Sequence, residues 1–501
     1  METLIFSLYS NQVSALILLA GTVVTIYATH WMYRWRNPKC RNGVLPPGSM
    51  GLPLIGETIQ LVLPSASLDL PPFIKKRMKK YLIYTHAKLF LCMADLAPIR
   101  YGPIFKTNVA GRPVIITADP EFNHFLLRQD GKLADTWSMD TFAEVFDQAS
   151  QSSRKYTRNL TLNHFGVEAL KGRLLPQMEA MSRKVLSTWA SHLSVEVKSQ
   201  AVTMSIDFAA GQIFSGDLED APLKISDMFR DLVEGLMSFP INIPGTSHHK
   251  CLQIHKKVRE MMREVVTKRL AEAERRHGDL LDHIIQDKST DSFINDDFIV
   301  QLMFGLLFVT SDSVSTTLAL AFKLLADHPL VLEELTAEHE AILKKRENSD
   351  ATGLTWDEYK SMTFTLQVIN EVLRLGNIAP GFFRRALKDI PVNGYIIPQG
   401  WVIMIATAGL HLNPNQFEDP LKFNPWRWKE IQPSVVSKCF MPFGSGMKQC
   451  AGAEYSRVLI ATFLHVLVTK YRWDLVKGGK IVRSPIIRFP DGFHYKISEK
   501  H

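Results

Sequence analysis

The sequence predicts a mainly α-helical body with a minor β part, carried behind an N-terminal membrane-spanning helix. Three observations predict it. Residues 3–33 contain no Lys, Arg, Asp or Glu, and Arg34, Arg36, Lys39 and Arg41 follow at once. From Glu121 onward most segments place apolar residues at helical spacing. Only short runs, at residues 102–120 and 394–406, read as strands.

The most apolar part of the first segment is "VSALILLAGTVVTIY", residues 13–27. A helix of about twenty apolar residues crosses a bilayer, and flanking positive charge stays on the cytosolic side. Here the charge follows the apolar run, and no small-x-small cleavage site precedes the body, as a cleaved signal would require. Residues 1–33 are therefore expected as a single-pass anchor with the remaining chain in the cytosol. "LPPGSMGLPLIGET", residues 45–58, cannot continue a helix. Residues 34–56 read as a basic, proline-rich hinge, and residues 57–501 as the body.

Within the body, "GPIFKTNVAGRPVIITADP" predicts two strands around a turn at residues 110–113. "NDDFIVQLMFGLLFVTSDSVSTTLALAFKLLADHP" predicts a helix of about thirty residues, about 45 Å long, capped by Asn295 and stopped by Pro329. Its central hydroxyl and carboxylate cluster argues against a second membrane span and for a helix through the centre of the body.

The chain has 501 residues, 46% of them hydrophobic, which suffices for a large core, and a net charge of +8. The charge forms no dense basic tract with interleaved aromatics, so nucleic acid is excluded as a partner. The five cysteines are odd in number and contain no CxxC, which excludes a disulfide framework and a zinc site. Cys40, Cys92, Cys251 and Cys439 read as inert thiols. Cys450 is different. It ends the glycine-punctuated stretch "FMPFGSGMKQCAGAEYSR", beside a basic residue and just before a helix, where a thiolate is favoured.

The spacing Phe443, Gly446, Lys448, Cys450, Gly452 resembles the heme-binding signature of the cytochrome P-450 monooxygenases, F-x-x-G-x-R-x-C-x-G, with lysine in place of arginine. "NEVLR" matches the family's E-x-x-R pair at Glu371 and Arg374, and "FNPWRW" its F-x-P-x-R-W element with Arg427. The three occur in the family's order, and the resemblance runs from the anchor to the C-terminus. It implies the cytochrome P-450 fold, with heme b (iron protoporphyrin IX) bound through the Cys450 thiolate. Phe443 would pack against the sulfur, and Gly446 and Gly452 would leave room for the porphyrin. Lys448, Arg384 and Arg158 would face the propionates. The family expects an aromatic residue or histidine four positions before Arg158, where this chain has Arg154. Glu371, Arg374 and Arg427 would fix the fold beneath the heme.

The family's central-helix pattern, A-G-x-[DE]-T-[TS], aligns with residues 309–314. The acid is kept as Asp312 and the alcohol as Ser313, while the glycine has become Thr310. Asp312 and Ser313 would relay protons through water to the dioxygen being reduced. Thr310 fits a hydroxyl bonded back to its own helix.

"FPINIPGTSHHK", "DEYKSMTFTLQ" and "AGAEYSR" resemble plant sterol and triterpenoid oxidases related to the brassinosteroid-synthesising enzymes. That branch implies NADPH–cytochrome P-450 reductase as partner, the endoplasmic reticulum membrane, and a steroid or triterpenoid substrate. Pocket walls are expected from residues 133–150, 239–244, the helix near Phe304 and Phe308, and residues 378–383 and 486–487. A reductase-independent heme-thiolate lyase or isomerase, or a non-enzymatic heme carrier, are the alternatives; retention of Asp312 and Ser313 favours the monooxygenase. Residues 81–100 have no counterpart in related chains, where "KKY" runs into "GPIFKT", and are expected as an extra excursion.

Overall fold

A computed structural model of the protein describes the chain apart from residues 1, 41, 54, 79–100, 147–149, 216–224, 239, 273–276, 347–352 and 501. It is mainly helical with a minor β part, as the sequence predicts. Two compact units share the residues expected as one body. The first comprises Met1–Leu63, Leu70–Trp137 and Gly381–Gly409; the second comprises Pro64–Asp69, Ser138–Pro380 and Leu410–His501.

The first unit begins with the helix Glu2–Arg36, on which Ile17, Leu18, Val24, Ile26 and Tyr27 are exposed. Its sheet has the strand order Ile104–Val109, Arg112–Thr117, Val402–Ile405, Phe382–Ala386, Ala134–Thr136. Arg112–Thr117 and Val402–Ile405 run parallel; the other neighbours are antiparallel. The turn of the predicted hairpin is shorter than residues 110–113. Ala110 and Gly111 alone make it, both with positive φ (52° and 79°), the twist-matched geometry of a two-residue hairpin. Pro113 pairs with Asn108, one residue before Val114 begins pairing with Val402, so its missing N–H costs no ladder bond.

The stretch read as a hinge lies along the first strand. Lys106 N–H donates to Pro47 O (2.8 Å) and Glu57 N–H to Asn108 O (2.8 Å). Two glycines are required there. A Cβ on Gly48 would fall 2.0 Å from Lys106 O, and one on Gly56 2.2 Å from Asn108 O. Beneath the sheet, Phe105, Val114, Ile116, Val402 and Met404 pack with Phe73, Ile74 and Leu61 into one apolar cluster.

The second unit is built around the helix Asp296–Asp327. Its 32 residues make it about 48 Å long. Asn295 caps it by accepting from Phe298 N–H (2.8 Å), and Pro329 opens the next helix. By length and composition this helix could cross a bilayer, but it packs against Val197–Phe214 and Ser247–Ala271, and Leu307, Leu318 and Leu325 are fully buried. A three-stranded sheet, Val195–Glu196, Phe493–Glu499 and Tyr471–Gly478, and the hairpin Val482–Ser484 with Ile486–Arg488 complete the unit.

The excursion expected at residues 81–100 lies outside the described residues, but its flanks meet. Arg77 O, in the helix Pro72–Met78, accepts from Tyr101 N–H at 2.7 Å and Gly102 N–H at 3.0 Å. Removing residues 81–100 would place Tyr101 four positions after Arg77, the spacing of an α-helical hydrogen bond. The shortened chain is expected to keep its helix content by circular dichroism and to unfold cooperatively within a few degrees of the full chain. Loss of cooperative unfolding would assign the segment to the core.

Candidate active site

All the sequence-predicted site residues except Arg384 lie in the second unit. Their foundation is Glu371, on the helix Thr363–Gly376 and fully buried. Its Oε1 accepts from Arg374 Nη2 (2.8 Å), Arg427 Nε (3.0 Å) and Asn424 N–H (3.1 Å). Its Oε2 accepts from Arg374 Nε (2.9 Å) and Trp428 Nε1 (3.0 Å). Two guanidinium groups and an indole thus satisfy a charge that would be costly alone. Arg427 Nη1 donates onward to Glu418 O at 2.6 Å.

From Arg374 the network reaches the cysteine loop. Arg374 Nη1 donates to His411 O (2.9 Å), and His411 Nε2 accepts from Met441 N–H (2.9 Å). Burial, with Arg374 and Arg483 nearby, holds the imidazole down to about 3, so the ring is neutral and Nε2 is free to accept. The loop then turns through Gly444 and Gly446, both with positive φ (71° and 73°), which gives Gly446 a backbone reason beyond room for a ligand. Cys450 N–H closes it on Phe443 O at 2.9 Å.

Cys450 lies two residues before Gly452, the N-cap of the helix Ala453–Lys470. Residues 446–450 are exposed, the thiol included. The flanking protein still raises the thiol above its ordinary range through lost hydration, opposed by the Gly452 N–H and by Arg158 and Arg457. Arg158 is brought to the loop, donating from Nη1 to Gln449 O at 2.6 Å. Arg457 lies over the Phe443 ring, 4.8 Å from its centroid. Lys448 is exposed on the same loop. Arg384 belongs to the first unit, where its Nε pairs with Asp130 at 3.0 Å.

On the long helix, Val309 is 61% exposed and Ser313 is exposed, although Leu307 and Val314 beside them are buried. Residues four apart share one helix face. That face is uncovered in mid-helix, among otherwise buried turns. Asp312 pairs with Lys198 Nζ at 2.9 Å and accepts from Thr316 Oγ1 at 3.5 Å. Ser313 Oγ reaches back to Val309 O at a long 3.3 Å, and Thr310 Oγ1 to Leu307 O at 2.9 Å. One turn earlier an aromatic group begins. Phe146 lies 4.8 Å from Phe308 and 5.4 Å from Phe304, with Phe142, Phe229 and His255 packed around them.

Lys198, Arg457, Trp428 and His411 were not legible as site residues. Trp428 alone carried a signal, as the last residue of "FNPWRW".

The uncovered Val309–Ser313 face and the open Cys450 loop with its basic side chains fit a flat, largely apolar group that carries iron and carboxylates. A cysteine sulfur suits iron, and Arg158 and Lys448 supply cations. The comparisons agree. The cytochrome P450 family profile matches residues 80–488. Cucurbitadienol 11-hydroxylase of Siraitia grosvenorii is 47% identical over 96% of this chain and 98% of its own. Beta-amyrin 16-alpha-hydroxylase of Maesa lanceolata is 46% identical over 97% and 99%. Cholesterol 16,22-dihydroxylase of Trigonella foenum-graecum is 33% identical over 91% and 92%. The structure of a retinoic acid-bound cyanobacterial P450 superposes with a TM-score of 0.76 at 23% identity, covering 92% of this chain and all of the other.

His411 makes the loop acid-sensitive. Its folded value of about 3 lies below its ordinary 6.5, so below pH 6.5 the unfolded chain takes up a proton that the folded chain refuses. Stability is full above that value and falls as pH drops toward 3; His164 and His465, both held down to about 4, act in the same direction. His411→Gln keeps an acceptor for Met441 N–H without titrating. Its melting temperature is expected to fall less than the wild type's between about pH 7 and pH 5. Parallel curves would remove His411 from the acid response.

Proposed function

The chain belongs to the cytochrome P450 family, whose members are heme-thiolate monooxygenases with heme b as cofactor, and from that premise we propose that it hydroxylates a triterpenoid or steroid. The observation that carries this reading is the near full-length similarity, at 47% and 46% identity, to two enzymes named for hydroxylating cucurbitadienol and beta-amyrin. Both are rigid, weakly polar polycycles. The aromatic group around Phe304 and Phe308 supports such a ligand, because apolar walls with few ionic groups favour a large apolar skeleton. A rigid skeleton also loses little entropy on binding, so shape can select the carbon that reacts.

Cys450 would hold the iron from the loop, on which the Phe443 ring lies under the Arg457 guanidinium. Arg158 and Lys448 would supply positive charge for the propionates. Thiolate-held heme supplies the oxygen-activating chemistry, since the thiolate pushes electron density that favours O–O cleavage. Asp312 is about one-third exposed and ion-paired to Lys198, so its carboxyl is in touch with solvent, from which it can pass protons inward. Ser313 can exchange its long bond to Val309 O for a bond to water. NADPH–cytochrome P450 reductase is the electron donor. The helix Glu2–Arg36, with its exposed apolar face and basic end, anchors the chain in the endoplasmic reticulum membrane with the catalytic body in the cytosol.

The reading is tested with the full chain and a reductase in yeast microsomes, given a panel of triterpenes, sterols, fatty acids and phenolics. Polycyclic terpenoids are expected to give a low-spin to high-spin shift and an NADPH-dependent product. A shift and product with a fatty acid or phenolic alone would overturn the substrate class.

Asp312→Asn is expected to slow turnover about 100-fold and to raise peroxide release per NADPH consumed. Unchanged coupling would take the proton relay away from Asp312.

A further inference from the structure

The helix that carries Glu371 and Arg374 ends at Asn377, whose backbone is left-handed (φ 42°, ψ 57°). A helix end leaves carbonyls without partners and carries partial negative charge. Asn377 meets part of this need itself: its N–H donates to Leu373 O (3.1 Å) and its Nδ2 to Arg374 O (2.8 Å). The next three carbonyls converge on one distant side chain. Arg483 Nη2 donates to Leu375 O and Gly376 O, each at 3.1 Å, and Nη1 reaches Asn377 O at 3.4 Å. Nη2 also reaches Leu68 O at 3.3 Å.

Arg483 is 2% exposed; its guanidinium donates to these backbone carbonyls, with the Asp69 carboxylate near enough to act on its charge. A buried guanidinium is an expensive helix cap even with a carboxylate nearby, because water or a smaller polar group could meet the same need. The position of its backbone gives it a use. The strand Val482–Ser484 is pinned on one edge by Ser65, whose N–H donates to Arg483 O (3.0 Å) and whose O accepts from Arg483 N–H (2.8 Å). On the other edge it pairs with Ile486–Arg488. Two chain segments leave this knot within a few residues. One is residues 378–380, where the fully buried helix end gives way to the exposed Ala379. The other is residues 486–487.

We infer that Arg483 is a specificity-setting positioning residue: by joining the 375–377 turn to the strand Val482–Ser484 it fixes the separation of residues 378–380 and 486–487, and with it the carbon of a polycyclic substrate that is oxidised. This rests on the proposed function and on the resemblance, which gives residues 378–383 and 486–487 as walls of the substrate pocket. Lysine keeps the charge but cannot present a planar fork to three carbonyls at once.

The test uses the full chain with reductase in microsomes, comparing wild type, Arg483→Lys and Arg483→Gln on a polycyclic terpenoid that the wild type oxidises. Both variants are expected to keep the thiolate-type carbon monoxide band per mole of protein. The ratio of minor to main hydroxylated product is expected to rise about tenfold, as for a reacting carbon displaced by less than an ångström. Should the variants fail to yield holoprotein, Ser65→Pro loosens the same strand while keeping the guanidinium, and its product ratio is expected to shift in the same sense. An unchanged ratio and KM with only a lowered melting temperature, in Arg483→Lys or, failing that, in Ser65→Pro, would make Arg483 a stabilising residue and overturn the inference. If the wild type oxidises no polycyclic terpenoid, the substrate reading fails instead, and the same ratio measured on the hydrophobic substrate it does oxidise still decides the role of Arg483.

Discussion

A single buried carboxylate holds the second unit's site together. Glu371 has no access to water, and burying such a charge costs several kcal/mol unless donors replace the lost hydration. Five donors do so, from Arg374, Arg427, Trp428 and the backbone of Asn424. Each brings a different stretch of chain to one point. The helix Thr363–Gly376, the loop after Phe423 and, through Arg374 and His411, the loop that begins at Met441 are thereby fixed together. The cysteine loop takes its position from a network that ends about nine residues before the cysteine. Positive-φ glycines and the Cys450 N–H bond to Phe443 O complete the path.

The long helix contributes to the candidate site differently. Between Phe298 and Leu325 the exposed residues of this helix are Val309 and Ser313, so the pair stands out against its buried and half-buried surroundings. A rigid, buried helix holds its side chains more exactly than a loop could, which suits a site where proton delivery depends on placement. The ion pair between Asp312 and Lys198 adds a partner from the helix Val197–Phe214. The pair leaves the carboxylate where solvent can still reach it.

How much of this was legible depends on how far apart the partners lie. The hairpin, the Asn295 cap and the Glu371–Arg374–Arg427 group were readable because each rests on local spacing or on a short motif. The Cys450 loop was readable for the same reason. His411, Lys198, Arg457 and Arg483 were not. Each acts through a partner remote in sequence, as Arg483 does on a turn more than a hundred residues away, and no periodicity records such a meeting. The hairpin turn is two residues shorter than the expected 110–113, because Pro113 sits where no ladder bond is needed and can belong to the strand. The glycines of the supposed hinge were seen as breakers, but Gly48 and Gly56 are small because a neighbouring strand's carbonyls leave no room for a Cβ.

The meeting of Arg77 with Tyr101 and Gly102 bears on how the gene can change. When the two ends of an added segment already touch, its closure entropy grows only with the logarithm of its length, about 2.7 kcal/mol for twenty residues. A junction of that kind accepts in-frame additions that would ruin most helices, whether from altered splicing or from tandem duplication. It is equally a place where an affinity peptide or a fluorescent label could be carried, leaving both termini and the cysteine loop untouched.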